Sequence, residues 1–519
     1  MAEIGISSPP TGLRHLETRL TVNLDRVSRT VNGGALLALM GTFLLGHFVS
    51  FYFHFLTVAL LVLNLVNFYW RHVQKRHTLL ANYGFLAQVR YLLESVGPEF
   101  RQYLFASDSE ERPFSRNERA EVYRKAKGID SSGAFGTQLD LGPGLVTLRH
   151  SFFPADDREP ATFTVNFGEE RGCPHPYIAE HPVFISAMSY GSLGSRAVRA
   201  LARGARKAGI PMNTGEGGYP MYHLMEAPDL IFQMGTAKFG VRTEDGKLDD
   251  QQLAKLCAEE SVKMVEIKLS QGAKPGKGGL LQKEKVSEEI AELRGVPMNR
   301  DVISPPYHPE CRTVAGTVAF IRRVQELSGV PVGLKFCLGR DRELRALVLE
   351  MKEQDVFPDW ITVDGAEGGT GAAPRSFMDG VGLPLFTALP LVREILEEEG
   401  VRDRTKLLAS GKLIDARRQL VAMAMGASAT YTARGFMLAL GCIQALQCNQ
   451  NTCPVGITTH APSLQRGLDI EEKSDRVARY ARALCREQGE LLAAMGVRGP
   501  SDLNPDSIHL PGVASGSPS

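Results

Sequence analysis

Residues 183–218 read VFISAMSYGSLGSRAVRALARGARKAGIPMNTGEGG, and the fold prediction starts from this stretch. The apolar run Val183–Ala187 predicts a buried strand, and Ile210–Asn213 predicts a second one. Between them, Ser195–Ala208 alternates small apolar residues with arginines, which is typical of an amphipathic helix. A strand, a helix and a second strand in this order indicate parallel pairing, so the stretch predicts an α/β fold.

The same alternation continues to about residue 432 and predicts a closed barrel. Eight units whose loops carry Gly, Ser or Asn fit a (β/α)8 TIM barrel better than an open sheet. A chain of 519 residues that is 43% hydrophobic can fill so large a core. The remaining predicted strands are Ile231–Gly235, Met264–Leu269, Val332–Cys337, Trp360–Val363, Lys406–Ala409 and Ala429–Thr432, and further predicted helices are Arg312–Leu327, Arg342–Glu353, Pro384–Glu399 and Ala416–Met425.

Polar residues follow most of the predicted strands directly. In a (β/α)8 barrel, reactive groups lie just after the carboxyl ends of the strands, and glycine-rich loops after strands seven and eight commonly bind phosphate. Ordinary turns have the same composition, so no single loop decides the matter. The segments are Met188-Ser189, Thr214-Gly215-Glu216, Ser270-Gln271-Gly272, Asp364-Gly365-Ala366-Glu367, Ser410-Gly411-Lys412 and Ala433-Arg434-Gly435.

Three of the eight cysteines are close in sequence. Cys442, Cys448 and Cys453 are spaced C-x5-C-x4-C, and Pro454 follows the last, as in some ferredoxins. Three thiolates suit a three-iron cluster, whereas zinc needs a fourth ligand, for which His460 is the nearest candidate. Buried cysteines without a ligand are the third possibility. The other five cysteines stand alone in the sequence and are interpreted as structural. Eight cysteines in so long a chain do not form a disulfide scaffold.

An apolar segment near the N-terminus predicts a membrane anchor. Residues 30–70 contain no Asp, Glu, Lys or Arg, which is enough length for two spans of about 20 residues each. We therefore expect a two-helix transmembrane hairpin over 33–70, with a turn near Ser50. A cleaved signal peptide would be shorter and nearer the start, and a buried soluble hairpin is the other alternative. Basic residues on both flanks predict that both ends, and the catalytic domain, lie in the cytoplasm.

The remaining organisation follows from composition. The formal net charge of +1 gives no electrostatic case for nucleic-acid binding. Charged helical stretches, Ala87–Leu93 and Arg116–Lys127, alternate with Gly and Pro in a connector that is expected to pack on the barrel. The predicted domains are a cytoplasmic segment 1–32, the hairpin 33–70, the connector 71–154, the barrel 155–495 with an iron–sulfur segment 442–453, and a tail 496–519 whose end is disordered.

Several motifs, considered together, resemble one known family. Ile185-Ser186-Ala187-Met188-Ser189-Tyr190-Gly191-Ser192, then Asn213-Thr214-Gly215-Glu216-Gly217-Gly218, resemble the FMN-binding synthase domain of glutamate synthase large subunits. So do Gln271-Gly272-Ala273-Lys274-Pro275-Gly276, Ile303-Ser304-Pro305-Pro306 and Gly368-Gly369-Thr370-Gly371-Ala372. The segment from Gly441-Cys442 through Cys448 to Asn451-Thr452-Cys453-Pro454 is similar to that family's 3Fe-4S segment. The resemblance covers about residues 155–465 and implies an FMN-linked barrel with this cluster.

The resemblance also implies roles for individual residues. Lys335 would lie near the pyrimidine edge of the flavin, where a cation stabilises the negative charge of reduced flavin. Gln271 and Lys268 would face flavin and substrate, and Glu216 would lie on the substrate side. Lys268, Lys274 and Lys335 are the candidate cations for a dicarboxylate. The residues implied to bind FMN are Ala187, Met188, Ser189, Asn213, Thr214, Gln271, Lys335, Gly368, Gly369, Thr370, Ser410, Gly411, Arg434 and Gly435, and those implied to bind the cluster are Cys442, Cys448 and Cys453.

The implied activity is that of an oxidoreductase acting on CH–NH2 donors. Electrons would enter at the cluster from ferredoxin or a reductase, pass to FMN, and reduce 2-iminoglutarate, formed from 2-oxoglutarate and ammonia, to L-glutamate. Tyr219-Pro220 stands where the family has Glu-Asp, and this departure, together with the predicted membrane hairpin, leaves alternatives open. Residue 2 is Ala where a glutaminase domain has its nucleophilic cysteine, so ammonia would come free or from another protein. A different 2-oxo or 2-hydroxy acid or a quinone is the first alternative, and a non-catalytic membrane redox sensor or scaffold is the second.

Overall fold

The computed structural model describes residues 11–129, 132–139, 141, 145–156, 161 and 163–509, with side chains from Arg26 onward. The chain divides after Arg116 into two compact units. Each unit is built from its own elements and is described separately below.

The N-terminal unit contains the apolar helices that the sequence predicts. Helix Thr11–Phe48 is followed by a short turn and by helix Phe53–Phe68, which continues as a π-helical turn over Tyr69–Val73. Two stretches, Arg26–Phe48 and Phe53–Val73, are long and apolar enough to cross a membrane by length and composition, and their side chains are mostly exposed. Helices Thr78–Tyr83 and Phe85–Phe100 follow, the latter extended by a π-helical turn over Arg101–Phe105.

The C-terminal unit is built around a closed barrel of eight parallel strands, as the sequence predicts. The strands pair in chain order, and the eighth pairs with the first. All eight predicted strands are present, and their ends differ from the predicted ones by two residues or fewer. The strands are β1 (Val183–Ile185), β2 (Met212–Asn213), β3 (Leu230–Met234), β4 (Val262–Lys268), β5 (Val332–Phe336), β6 (Trp360–Asp364), β7 (Lys406–Ser410) and β8 (Ala429–Thr432).

Helices surround the barrel, and three short antiparallel pairs are added to it. The pairs are 147–148 with 508–509, 165–167 with 177–179, and 280–281 with 302–303. Of the predicted helices, Ser195–Ala208 and Arg116–Lys127 have the predicted ends. The other α-helices are Met221–Leu224, Asp250–Cys257, Glu288–Arg294, Val314–Ser328, Asp341–Gln354, Arg375–Gly380, Leu385–Glu398, Ala416–Ala424, Arg434–Leu440, Pro462–Gln465 and Ile470–Ala494.

Apolar side chains close one end of the barrel and leave the other end to the loops. The strand pair 165–167/177–179 packs on barrel-interior aromatics, with the ring centroids of Phe167 and Trp360 5.5 Å apart. A Cβ atom on Gly333 would lie 1.9 Å from the Trp360 ring, so the close approach of β5 to β6 requires glycine there. Arg171 pairs with Asp359, just before β6, at 3.1 Å, which places this plug at the amino ends of the strands. The carboxyl ends therefore remain available for a functional site.

Candidate active site

Four of the residues implied to be functional lie together at the carboxyl ends of β2, β4 and β6. The Nζ atom of Lys268, the last residue of β4, donates to the carboxylate of Glu216 and lies 3.4 Å from Oε1 of Gln271. The Nε2 atom of Gln271 lies 3.4 Å from Oγ1 of Thr370 on the loop after β6. Residues that are far apart in sequence are thus brought to one place by the parallel strands.

Glu216 is surrounded by positive charge. Burial alone would raise the pKa of its carboxyl group, but the ammonium groups of Lys268 and Lys274 and the guanidinium of Arg294 outweigh burial and hold that pKa below its usual value. Burial, followed by the neighbouring Lys268, lowers the pKa of Lys274 to about 8. Three cations around one carboxylate leave an excess of positive charge, which suits an anionic small molecule.

Lys335 is a second buried cation at this end of the barrel. It lies within β5, is only 4% exposed, and its Nζ atom lies 3.6 Å from Oδ2 of Asp364 at the end of β6. The same Oδ2 accepts a hydrogen bond of 2.8 Å from the backbone N–H of Gly272. Nζ also lies 5.9 Å from the centroid of the Tyr431 ring. Burying an ammonium group is costly unless it is paired. The neighbouring Asp364 carboxylate and Tyr431 ring therefore compensate for the burial of Lys335.

The loops after β6, β7 and β8 meet around Arg434. Its guanidinium donates a 2.6 Å hydrogen bond to the carbonyl of Glu367, and burial lowers its pKa to about 10, against the opposing effect of Asp364 and Glu367. A Cβ atom on Gly369 would lie 2.8 Å from Cδ of Arg434, so a larger residue there would displace the arginine side chain. Ser410 and Gly411, at the end of β7, lie on the neighbouring loop. A guanidinium beside glycine-rich backbone fits the phosphate of a flavin mononucleotide.

The first two strands place the other implied cofactor residues. Ala187, Met188 and Ser189 follow β1 directly, and the Met188 carbonyl lies 3.2 Å from Nε2 of His223. A Cβ atom on Gly215, whose φ is +64°, would lie 2.8 Å from the backbone nitrogen of Ser189, so the loops after β1 and β2 touch. These loops form one wall of the barrel mouth.

Some of the implied residues have partners within the protein. The Asn213 amide donates to Glu266 at 2.8 Å and to the Tyr431 hydroxyl at 3.3 Å, inside the barrel. Thr214 Oγ1 accepts from the backbone of Gln233 at 3.1 Å. A Cβ atom on Gly435 would lie 2.4 Å from the Tyr480 hydroxyl, so that glycine gives the helix Ile470–Ala494 close access to the barrel. For these three, the observed contacts give a structural role.

The three clustered cysteines lie close to one another on the segment after helix Arg434–Leu440. Their thiols interact electrostatically, since Cys448 and Cys453 each contribute to raising the pKa of Cys442, after burial. Around Cys453, backbone N–H groups of Thr458, Val455 and Ile457 outweigh burial and lower the pKa of its thiol. Sulfurs that receive N–H donors are typical of iron–sulfur sites. The donors around Cys453 are those that would stabilise a cluster-bound thiolate.

The single-zinc alternative fits less well. Within the described part of the chain, no group of three or more His, Cys, Asp or Glu side chains is placed to hold one metal ion. His460, the proposed fourth ligand, lies with its Nε2 3.0 Å from the carbonyl of Gly191. A tetrahedral zinc site needs its ligands to converge on one point, whereas a three-iron cluster takes one thiolate on each iron and leaves the sulfurs further apart.

The segment with the cysteines touches the loop after β1. Lys285, which is 3% exposed, donates to the carbonyl of Ser192 and, at 3.2 Å, to the carbonyl of Cys448. The rings of Tyr190 and His460 lie 5.5 Å apart. On another side, the Tyr123 hydroxyl donates a 2.6 Å hydrogen bond to the Cys442 carbonyl. The barrel mouth and the cysteine segment therefore share side-chain contacts.

Two of these residues have roles that sequence reasoning missed. Arg294 and Lys285 belong to a long excursion between β4 and β5, and nothing in their local sequence indicates that they return to the barrel mouth. Arg294 donates to the carbonyls of Tyr190 and Gly217, at 3.0 and 3.1 Å. Asp364, in contrast, belongs to a polar segment that the sequence analysis assigned to the end of the sixth strand, and it is the last residue of β6.

The buried histidines predict a loss of stability in acid. His308 lies with Nε2 3.0 Å from the Lys268 carbonyl, and its Nδ1 is buried without a partner. Burial, then the Lys238 ammonium, lowers its pKa to about 4. An unfolded histidine has a pKa of about 6.5, so stability is complete above that value and falls as the pH decreases towards 4, by up to about 3 kcal/mol for this residue.

We expect the His308→Gln variant to lose less free energy of unfolding between pH 6.5 and pH 4 than the unsubstituted chain, because Gln can still donate to the Lys268 carbonyl. Urea unfolding followed by circular dichroism at several pH values measures this. The exposed His175→Gln variant is the control and should follow the unsubstituted chain. Parallel curves for all three proteins would contradict the assignment.

Residues 148–498 match the family model described as the conserved region in glutamate synthase. The chain is 36% identical to the glutamate synthase large subunit-like protein YerD of Bacillus subtilis over 87% of this chain and 94% of that protein. It is 35% identical to an archaeal glutamate synthase (NADPH) of Methanocaldococcus jannaschii, over 64% of this chain and 62% of the relative.

Among solved structures, a mutant flavocytochrome b2 with pyruvate bound is similar with a TM-score of 0.46 and 15% identity, over 84% of this chain and 89% of that one. The family model covers more than half of the chain, and YerD is matched along almost all of its length. The chain therefore belongs to the glutamate synthase family.

Proposed function

We propose that this protein is an FMN- and 3Fe-4S-dependent oxidoreductase that reduces 2-iminoglutarate, formed from 2-oxoglutarate and ammonia, to L-glutamate. The observation that carries the proposal is the group of Lys268, Lys274 and Arg294 around Glu216, next to the buried cation Lys335. A dicarboxylate substrate needs such cations. Family membership supports the same reaction class.

FMN held by the loops after the strands would supply a hydride for the imine carbon, and the protein's residues would bind and orient the substrate. Lys335 would face the edge of the flavin that gains negative charge, where a fixed cation lowers the free energy of the reduced state. Lys268 and Gln271 would hold the substrate against the flavin, and Arg294 would bind a carboxylate.

Reduction of the imine also needs a proton at nitrogen. Burial and the neighbouring Lys268 lower the pKa of Lys274 to about 8, so its ammonium group can donate this proton near neutral pH. Its Nζ is held by the Ala372 carbonyl at 2.8 Å, which fixes its position at the mouth. Lys274 is therefore our candidate general acid.

Cys442, Cys448 and Cys453 would hold the cluster that receives electrons from ferredoxin or a reductase. The Lys285 ammonium lies beside two of these thiols, and its charge favours their ionised form. The two apolar helices Arg26–Phe48 and Phe53–Val73 would anchor the protein in a membrane as a hairpin, with the barrel in the cytoplasm.

A different acceptor is the second candidate. Tyr219 stands at a position where the family pattern has an acidic residue. It is 39% exposed, and its hydroxyl donates a 3.0 Å hydrogen bond to Oε1 of Glu259. A substrate other than 2-iminoglutarate, such as another 2-oxo acid, a 2-hydroxy acid or a membrane quinone, would agree with that substitution.

One experiment separates the candidates. The full chain, purified anaerobically in detergent, is supplied with reduced ferredoxin, 2-oxoglutarate and ammonia, and the products are measured by amino-acid analysis. Glutamate that depends on all three additions supports the first candidate. Flavin reoxidation by a quinone analogue without glutamate formation supports the second and rejects the first.

The phosphate site gives a prediction that does not need the substrate. We expect Arg434→Leu to weaken FMN binding about 10- to 100-fold, because a charge-assisted hydrogen bond contributes roughly 1.5–3 kcal/mol. Flavin titration of the apoprotein measures it. Riboflavin, which has no phosphate, is the control ligand and should bind the variant and the unsubstituted chain equally. An equal loss for both flavins would place Arg434 away from the phosphate.

A further inference from the structure

The helix Phe85–Phe100 and the π-helical turn Arg101–Phe105 carry an exposed apolar stripe. We define the stripe as Val89 and the exposed apolar residues three, four, eleven, fourteen and fifteen positions after it, which share one face of a helix; Val96, seven positions after Val89, lies on the same face but is less exposed. Each stripe residue is exposed by about half or more. The stripe residues, with exposed fractions, are Val89 52%, Leu92 62%, Leu93 59%, Phe100 48%, Tyr103 49% and Leu104 65%.

The sides of the helix next to the stripe carry charged residues, and Phe105 at the end of the π-helical turn is exposed outside the stripe. Arg90 pairs with Glu94 at 2.8 Å, and Ser95 lies on the side opposite the stripe. The buried residue of the helix is Ala87, outside the stripe. A soluble surface seldom exposes so continuous an apolar face, so something covers the stripe in the cell.

The helix starts at the foot of the apolar hairpin. Asn32 accepts a 2.8 Å hydrogen bond from Asn67 across the two apolar helices, and the Ser28 hydroxyl donates to the Tyr83 carbonyl at 3.0 Å. Gly84 follows with φ +55°, and a Cβ atom there would lie 2.3 Å from Oδ1 of Asn67. Only glycine lets the chain turn this close to the hairpin, so Phe85 begins beside the end of both apolar stretches.

Charge at the same end favours a lipid surface. Basic residues lie at the start of the first apolar stretch and the end of the second, which is where a hairpin leaves the bilayer. An amphipathic helix beside such a point lies flat, with its apolar face about 5–10 Å into the boundary between headgroups and acyl chains. The basic residues are Arg26, Arg29, Arg71, Lys75 and Arg76.

We propose that Phe85–Phe105 is an interfacial helix, which lies on the membrane surface at the foot of the hairpin and buries the stripe in the same leaflet. The proposal rests on the membrane anchor of the proposed function. The sequence analysis predicts that the connector packs on the barrel. The proposal instead places this part of the connector on the membrane surface.

Tryptophan quenching by brominated lipids tests the proposal in the full chain. Trp70→Phe removes one of the two native tryptophans, and the other, Trp360, is fully buried in the barrel. Three reporters are then added singly: Leu92→Trp in the stripe, Ser95→Trp opposite it, and Leu61→Trp in the second apolar helix. Each protein is reconstituted into phosphatidylcholine–phosphatidylglycerol vesicles whose lipids carry bromine at a shallow or a deep acyl position.

We expect the Leu92→Trp reporter to emit at shorter wavelength and to lose emission with shallow bromines, while the Ser95→Trp reporter stays unquenched and the Leu61→Trp reporter is quenched by deep bromines. Quenching at Leu61 but not at Leu92 would overturn the interfacial helix and leave the membrane anchor standing. In that case, a dimer detected by chemical crosslinking would identify a second copy of the chain as the partner that covers the stripe. Equal quenching at Leu92 and Ser95 would overturn the orientation. No quenching at Leu61 would overturn the anchor itself.

Discussion

Replacing Lys335 with methionine is expected to reduce flavin-dependent turnover by on the order of 10²–10³-fold, the usual cost of removing one fixed group that stabilises developing charge. Methionine keeps the length of the side chain and removes its charge, so the flavin would also become harder to reduce. The flavin midpoint potential, measured by dye-coupled titration, should fall. Lys335→Arg keeps the charge and should lower the flavin midpoint potential less than Lys335→Met does.

The same substitution should destabilise the barrel. Lys335 is buried beside Asp364 at 3.6 Å, and removing one member of a buried pair typically costs about 3–5 kcal/mol. The double variant Lys335→Met/Asp364→Asn removes both charges and should recover much of the stability without recovering the potential. Recovery of both by the double variant would show that Lys335 acts only on folding, and an unchanged potential in the single variant would contradict its place beside the flavin.

Substituting Cys448 with alanine is expected to remove the cluster and to leave FMN bound. Its thiol lies near Cys453 and Lys285, and the loss of one of three thiolates leaves an iron without a protein ligand. Iron and labile sulfide per chain should fall to near the background, while the flavin content stays that of the unsubstituted chain. Electron entry from ferredoxin should stop, although chemically reduced flavin should still react with the acceptor.

Cys173→Ala provides the matched control. Cys173 is a buried cysteine near Gly329, at the amino ends of the strands, with its Sγ 3.4 Å from that residue's carbonyl. Its removal should leave iron, sulfide and flavin unchanged. Full iron content in the Cys448→Ala variant would contradict the assigned ligand set, and parallel loss of FMN and iron in it would show a folding defect.

The strands could be predicted because local sequence determines them. Most barrel strands are short, mainly apolar runs buried on both faces, as in β6, where all five residues of Trp360–Asp364 are buried. The site residues that end strands or follow them, such as Lys268 and Gln271, were predictable for the same reason. Their position depends only on the order of strands in the barrel.

The missed residues depend on long-range packing. Arg294 and Lys285 come from the excursion between β4 and β5, whose path is set by contacts with Tyr190 and Ser192, about a hundred residues earlier. Asn213 differs, because its motif predicted contact with the cofactor. In the structure its amide donates a hydrogen bond to Glu266 inside the barrel. Sequence periodicity carries no information on either point.

We propose that the barrel mouth holds FMN next to an iron–sulfur cluster bound by Cys442, Cys448 and Cys453. The most direct test is flavin, iron and sulfide analysis of the full chain, purified anaerobically from an iron-replete host and recorded together with its absorption spectrum. We predict one FMN and about three irons per chain, one for each thiolate ligand. A colourless protein without flavin and iron would contradict the claim, and so would stoichiometric zinc in place of iron.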